Sequence, residues 1–152
     1  MTAPSFSLLV VPTDFSAGSS AAAEYALWLA GKTGARILYL HVMEPTAYSV
    51  DFALTRPDLS AEVRERAGEA LRQLVEEARS RGVSAEQALA VGSPFAEIQQ
   101  TAVDRKADLI VMGTHGRTGL AHVMLGSTAE RVVRLATCPV LTVKASPPVD
   151  GT

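Results

Sequence analysis

Short strand-like runs alternate along this chain with longer segments in which apolar residues recur at helical spacing. The runs cover residues 7–11, 36–42, 84–91, 109–112 and 139–143. The fourth run is apolar at every position, which is typical of a strand buried on both faces. The third run is more polar and is expected at a sheet edge. The pattern therefore predicts a single α/β domain with five parallel strands and helices on both faces of the sheet.

Four helices are predicted between these strands, with serines and glycines at their ends. They are expected at about 20–30, 61–81, 94–106 and 127–135. The expected N-caps are Ser19 or Ser20, Ser60 and Ser93. Gly31 and Gly34 are the expected stop signals of the first helix. The domain is expected to cover residues 1–145, followed by a disordered tail at residues 146–152.

The predicted strand order locates a ligand site. Five strands wound in the usual two directions give the sheet order 3-2-1-4-5, which reverses between strands 1 and 4. Ligands of open α/β sheets bind at the carboxyl ends of the strands where the order reverses. The chain leaves strand 1 at Pro12 and strand 4 at Met112. The loops after these two residues are therefore expected to meet at one site.

The loop after the fourth strand has the composition of a phosphate-binding loop. Its glycines are Gly113, Gly116, Gly119 and Gly126. Glycines let main-chain N–H groups approach an anion closely, and the N-terminus of a helix adds unpaired donors and partial positive charge. Ser127 and Thr128 begin the next helix, and Arg117 is a candidate phosphate clamp.

Each of these features also has an interpretation without a ligand. Gly113 and Gly116 are also expected in tight turns that need a positive φ. Ser127 and Glu130 fit a capping box, S-x-x-E, that needs no phosphate. Asp14 lies in the loop after strand 1, and aspartates in such loops often cap their own turn.

The spacing Gly113-x2-Gly116-x9-Gly126-Ser127 resembles the nucleotide-binding signature of the ATP-binding branch of the universal stress protein family. Residues 10–16 resemble the first strand and loop of that family, and the likeness covers residues 5–145. The resemblance implies a Rossmann-like fold of the adenine nucleotide alpha hydrolase type. It also implies binding of ATP or another adenine nucleotide, with Mg as the expected metal, and a homodimer joined through the fifth strand, Val140 to Val143.

The expected nucleotide contacts lie on the two loops and at the end of the second strand. They are Pro12, Thr13, Asp14, Val42, Met112, Gly113, His115, Gly116, Arg117, Gly126, Ser127 and Thr128. Asp14 is expected to accept hydrogen bonds from ribose hydroxyls or to hold a metal together with the phosphates. Val42 belongs to the core by its own sequence context, whereas the resemblance places adenine against its main chain. His41 is expected to be a satisfied core or edge histidine.

Composition and missing motifs narrow the function further. A net charge of −2 gives no basic surface for nucleic acid, and no apolar run approaches the length of a membrane span. The single cysteine, Cys138, excludes an internal disulfide and suits a cytoplasmic protein. The P-loop, the G-x-G-x-x-G dinucleotide fingerprint and the G-x-S-x-G elbow do not occur. The sequence thus predicts a nucleotide-dependent regulatory protein; the alternatives are a slow ATPase or transferase, and an interaction module that binds no nucleotide.

Overall fold

The computed structural model describes residues 4–45, 57–116 and 125–145, with the side chains of residues 57–59 left aside. Strands and helices alternate through these ranges, as the hydrophobic pattern predicts. The strands are β1 (Leu8–Pro12), β2 (Arg36–Met43), β3 (Ala85–Val91), β4 (Leu109–Gly113) and β5 (Val140–Val143). The helices are α1 (Ala17–Thr33), α2 (Pro57–Ser80), α3 (Pro94–Asp104) and α4 (Ser127–Leu135). The predicted disordered tail lies outside the described residues.

The five strands form one parallel sheet in the order β3-β2-β1-β4-β5, which confirms the predicted topology. β1 is central and is buried at all of its positions. It pairs with β2 from Leu8 opposite Arg36 to Pro12 opposite Leu40. β3 is an edge strand, as its more polar sequence predicts. None of the helices in the described ranges has the length and apolar character that a membrane crossing requires.

Two hydrophobic cores cover the two faces of the sheet. Successive side chains of a strand point to opposite faces. Leu9 and Val11 of β1 therefore pack under α1 and α2, while Leu8 and Val10 pack under α3 and α4. This arrangement covers both faces of the sheet, and it fixes the helix starts near the carboxyl edge of the sheet.

The start of α1 corrects a prediction about its cap. Ser16, rather than Ser19 or Ser20, is the N-cap, and its Oγ accepts a hydrogen bond from Ser19 N at 3.3 Å. Ser19 lies within the first turn of the helix, and its side chain is buried. At the other end, Gly31 lies inside the helix. Gly34 ends it, with a left-handed φ of 78° and its N–H donating to Ala30 O.

The starts of α2 and α3 show proline at the first helical turn. The prediction that Ser60 caps α2 is wrong, because the helix already begins at Pro57. Proline is favoured there since the first N–H groups of a helix have no intrahelical acceptor. Ser93 is the N-cap of α3 and Pro94 follows at the helix start, as predicted, although the Ser93 side chain makes no cap hydrogen bond.

Candidate functional site

The loops that leave β1 and β4 are in direct contact at the carboxyl edge of the sheet. A Cβ on Gly113 would lie 2.8 Å from the carbonyl carbon of Gly18, and a Cβ on Gly18 would lie 2.8 Å from His115 O. A Cβ on Gly116 would lie 3.0 Å from Asp14 Oδ2. The two main chains can approach this closely only because positions 18 and 113 are glycine, whereas the neighbour of Gly116 is a side-chain oxygen. The strand order predicts this meeting of loops, but Gly18 was not expected to take part.

Asp14 is held by its own loop and also faces the β4 loop. Its Oδ1 accepts hydrogen bonds from Ser16 N at 3.0 Å and from Ser19 Oγ at 3.1 Å. Thr13 Oγ1 donates to Ser19 Oγ at 3.1 Å and accepts from Phe15 N at 3.0 Å. Asp14 therefore does cap its own turn, as the interpretation without a ligand predicts. Its second oxygen, Oδ2, lies on the side of Gly116, where the two loops meet.

The loop geometry places Phe15 in an unusual conformation. Its φ of 64° is left-handed, which costs a residue with a β-carbon about 1–2 kcal/mol. The Phe15 ring lies 4.6 Å from the His41 ring, and such aromatic pairs contribute about 0.5–1.5 kcal/mol. His41 Nδ1 also donates to Thr13 O at 2.7 Å. His41 is satisfied, as predicted, but its partners belong to the loop that carries Asp14.

The main chain of Val42 points into the space beyond the end of β1. Leu40 O accepts from Thr13 N on the β1 side of β2. Met43 O accepts from Gly92 N on the β3 side. In a parallel ladder the main-chain groups of successive residues point alternately to the two neighbouring strands. The N–H and C=O of Val42 therefore point to the β1 side, two residues past the last paired position of β2 with β1.

The phosphate-loop candidate is tied to β5 and to the start of α4 through Thr114. The Thr114 N–H donates to Val143 O at 3.1 Å, and Thr114 O accepts from Gly126 N at 2.6 Å. The Thr114 side chain is buried, and its Oγ1 lies 3.0 Å from His115 Nδ1. Sequence reasoning missed Thr114, because its role depends on main-chain contacts with distant residues.

The start of α4 rules out the capping-box interpretation. Gly126 is the N-cap, with a φ of −68° and no side-chain cap bond, so Ser127 is already the first helical residue. The N–H groups of Ser127 and Thr128 lie in the first turn, where a helix offers them no main-chain acceptor. Among the described glycines, positive φ angles occur at Gly34, Gly82 and Gly92. Neither Gly113 nor Gly116 therefore serves a left-handed turn; Gly113 is required for close approach to the main chain of α1, and Gly116 lies beside the Asp14 carboxylate.

The sequence matches a known protein family over almost its whole length. The profile of the universal stress protein family matches residues 6–144. The chain belongs to the universal stress protein family. A universal stress protein of Methanocaldococcus jannaschii is 39% identical over 137 residues, which are 90% of this chain and 81% of the relative.

Solved structures of the family share the fold. UspA of Lactobacillus plantarum has a TM-score of 0.82 at 26% identity, covering 91% of this chain and 98% of its own. A universal stress protein solved in complex with cAMP has a TM-score of 0.67 at 26% identity, covering 93% of this chain and 99% of its own. The resemblance seen in the sequence is thus confirmed at the level of family and fold.

The remaining candidate residues of this universal stress protein lie near the carboxyl ends of β1 and β4 or outside the described residues. Pro12 and Met112 are buried at the ends of β1 and β4, where Met112 packs in the core under α3 and α4. Arg117 lies outside the described residues. The described part of the chain contains no group of three His, Cys, Asp or Glu side chains close enough to hold a metal.

Cys138 is half-buried at the opposite end of the sheet, just before β5. Burial raises the pKa of its thiol above the usual value. Because the thiolate is the nucleophilic form of cysteine, this environment disfavours reactivity at neutral pH. Cys138 therefore serves in packing against the core under α3 and α4.

Proposed function

We propose that this universal stress protein binds ATP or another adenine nucleotide, together with Mg, and acts as a nucleotide-dependent switch. The observation that carries the proposal is the close contact of the β1 and β4 loops at the carboxyl edge of the sheet, where the strand order reverses. We propose that the nucleotide lies between the main chain of Val42, the loop of Asp14 and the start of α4, in a space that we call the crevice. The main chain of Val42 suits the base, the carboxylate of Asp14 suits the ribose, and the start of α4 suits the phosphates.

The main chain of Val42 suits adenine better than guanine. It offers one N–H donor and one C=O acceptor, both directed to the β1 side of β2. Adenine presents a complementary pair, an amino donor at N6 and an acceptor at the adjacent ring nitrogen. Guanine presents an acceptor at O6 and a donor at its neighbouring N1, so both partners would be mismatched in the orientation that adenine takes. The cAMP complex of a family member supports an adenine nucleotide as the ligand.

The phosphates fit the other side of the crevice. The N–H groups of Ser127 and Thr128 and the positive end of α4 would bind them, while Gly113 and Gly116 allow the chain to pass close by. Asp14 would bind ribose hydroxyls or hold Mg together with phosphate oxygens. His115 and Arg117 remain proposed phosphate contacts, and Arg117 lies outside the described residues.

The geometry of Asp14 favours binding over fast turnover. Phosphoryl transfer needs a placed base or a water-orienting residue in addition to the metal. Asp14 Oδ1 is already bonded to Ser16 N and Ser19 Oγ. One oxygen of Asp14 thus holds its own loop, which supports a regulatory nucleotide-binding protein rather than an efficient ATPase.

Saturating Mg-ATP is expected to raise the unfolding temperature of the purified protein. A ligand that binds only the native state adds about 2.7 kcal/mol at 100 times its dissociation constant, or roughly 5–11 °C for a chain of this size. Thermal melts with Mg-ATP, Mg-GTP and adenosine measure the effect and the base preference. Melts that no adenine nucleotide shifts at millimolar concentration would refute the proposed function.

We also propose a homodimer through β5, whose outer edge is apolar. Pro139 O accepts from Ile110 N and Val143 O accepts from Thr114 N, so alternate residues of β5 bond β4. The main-chain groups of Val140 and Thr142 therefore point to the open edge. In the described sheet β5 has β4 as its single neighbour, and an unpaired apolar edge favours pairing with another strand.

The variant Thr142→Pro is expected to convert the dimer to a monomer without unfolding the domain. Proline lacks the outward N–H, and an edge strand tolerates it there because that N–H does not bond β4. Light scattering at high micromolar concentration measures the mass, with Thr142→Val as the control that keeps the N–H. A dimeric Thr142→Pro protein, or a monomeric wild type, would contradict this interface.

A further inference from the structure

The side chain of His41 holds both neighbours of Asp14. Its Nδ1 lies 2.7 Å from Thr13 O, and its ring centroid lies 4.6 Å from that of Phe15. Thr13 and Phe15 flank Asp14 in the chain. A single residue of β2 therefore fixes the segment that presents the carboxylate of the crevice.

The hydrogen bond also defines where the imidazole carries its proton. A carbonyl oxygen can only accept, so Nδ1 of His41 is the donor and carries the hydrogen. The N–H of Thr13 bonds Leu40 O, also on β2. Both main-chain groups of Thr13 are thus held by β2, one by its main chain and one by His41. The direction in which the chain leaves β1 depends on this second contact, because β1 has already ended at Pro12.

The conformation of Phe15 explains why the loop needs such a partner. Its φ of 64° lies in the left-handed region, which residues with a β-carbon rarely adopt. Without the His41 ring, the loop is expected to relax toward commoner backbone angles. Asp14 would move with it, because the rotation occurs at the adjacent residue.

We propose that His41 is a positioning residue of the nucleotide site. It immediately precedes Val42, so the end of β2 both offers the main-chain edge for the base and anchors the loop of Asp14. His41 itself need not contact the nucleotide. The inference rests on the proposed function, because the orientation of Asp14 affects affinity only if the nucleotide lies between Asp14 and Val42.

Three substitutions separate the two contacts of His41. His41→Leu removes both contacts, His41→Phe keeps a ring without the donor, and His41→Asn keeps a donor near the Nδ1 position without the ring. The dissociation constant for Mg-ATP is expected to rise about tenfold in His41→Leu and by about threefold in each of the other two. Isothermal titration measures these values.

Asp108 supplies a matched control at the opposite end of β1. Its Oδ2 accepts from Ser7 N at 2.7 Å and from Leu8 N at 2.9 Å, so it anchors the start of the strand as His41 anchors the exit. Asp108→Ala is expected to lower the unfolding temperature and to leave the dissociation constant for Mg-ATP unchanged. An equal loss of affinity in Asp108→Ala and His41→Leu would show a general structural effect and overturn the proposal.

A measurement without ligand tests the same contact. The amide of Ser16 bonds Asp14 Oδ1, so its hydrogen exchange reports the order of the loop. Faster exchange in His41→Leu than in wild type is expected, and equal exchange would overturn the inference. Unchanged Mg-ATP affinity in His41→Leu would also overturn it, whereas a wild-type protein that does not bind Mg-ATP would refute the proposed function itself.

Discussion

Replacement of Gly126 by Asp is expected to weaken ATP binding at least about tenfold, while adenosine binds as it does to the wild type. Two unit charges 4 Å apart repel by about 4 kcal/mol at an effective dielectric constant near 20, and a third of that is already a factor of ten. The new carboxylate would stand at the positive end of α4, where we place the phosphates. Adenosine has no phosphate and does not meet this charge.

The backbone of Gly126 accepts a side chain without torsional strain. Its φ of −68° and ψ of 163° are extended values that any residue adopts. A new Cβ would lie 3.2 Å from Thr114 O, so the loop must shift by a few tenths of an ångström. Asp is also a good N-cap, which changes stability by only a few tenths of a kcal/mol relative to Gly. The folded protein is therefore expected to remain intact.

Gly126→Asn provides the matched control, because it has the shape of the aspartate variant without the charge. Its ATP affinity is expected to stay within about threefold of wild type, since only the small steric shift remains. Titrations with ATP and adenosine on both variants give the four values needed. Equal losses for Asp and Asn would show a steric effect, and equal losses for ATP and adenosine would show that the phosphates lie elsewhere.

Replacement of Gly113 by Ala is expected to destabilise the domain by about 2 kcal/mol, which lowers the unfolding temperature by roughly 4–8 °C. The added Cβ would lie 2.8 Å from Gly18 C, 2.9 Å from Gly18 O and 3.2 Å from Ser19 N. These atoms are main chain within the first turn of α1, so they cannot move without shifting the helix against β4. Thermal melts of the ligand-free protein measure the change.

Gly31→Ala is the control for Gly113→Ala, because the same methyl group is added in open space. Nothing lies within 4 Å of its new Cβ, and Gly31 is inside α1. Alanine in a helix interior is more stable than glycine by up to about 1 kcal/mol. The two variants should therefore shift the melting temperature in opposite directions. A Gly113→Ala protein that melts with the wild type would show that the two loops are not packed as described.

The sequence predicts the strands and their order because β1 and β4 are short apolar runs, each followed by a loop and a helical pattern. Short apolar runs that alternate with helical patterns favour a parallel sheet covered on both faces, and the usual winding of such a sheet in two directions gives the strand order. The cap of α1 could not be predicted in the same way, since Ser16, Ser19 and Ser20 are equally good caps in sequence. The burial of Ser19 against Thr13 and Asp14 decides between them, and that contact is tertiary.

The residues of the candidate site also fall into two groups, those that the sequence predicts and those that only the structure shows. Gly113, Gly116 and Gly126 are visible in sequence, because their spacing is itself the signal. The roles of Gly18, His41 and Thr114 depend on which atoms of the two loops meet, and no local pattern encodes this. The direction of the Val42 main chain can be predicted only when it is known which residues of β2 bond β1 and which bond β3. This depends on the register of the strands.

The connection from β5 through Thr114 to Gly126 is made only of peptide groups: Val143 O, the N–H and C=O of Thr114, and Gly126 N. No side-chain atom takes part in it, so most substitutions along this path keep its hydrogen-bonding groups. Only a residue that lacks an N–H interrupts it, which makes proline at position 114 or 126 the one replacement that removes a link. The placement of the helix start relative to the sheet edge therefore depends on main-chain hydrogen bonds, and a side chain on this path changes it only through packing, as the 3.2 Å contact expected at Gly126 illustrates.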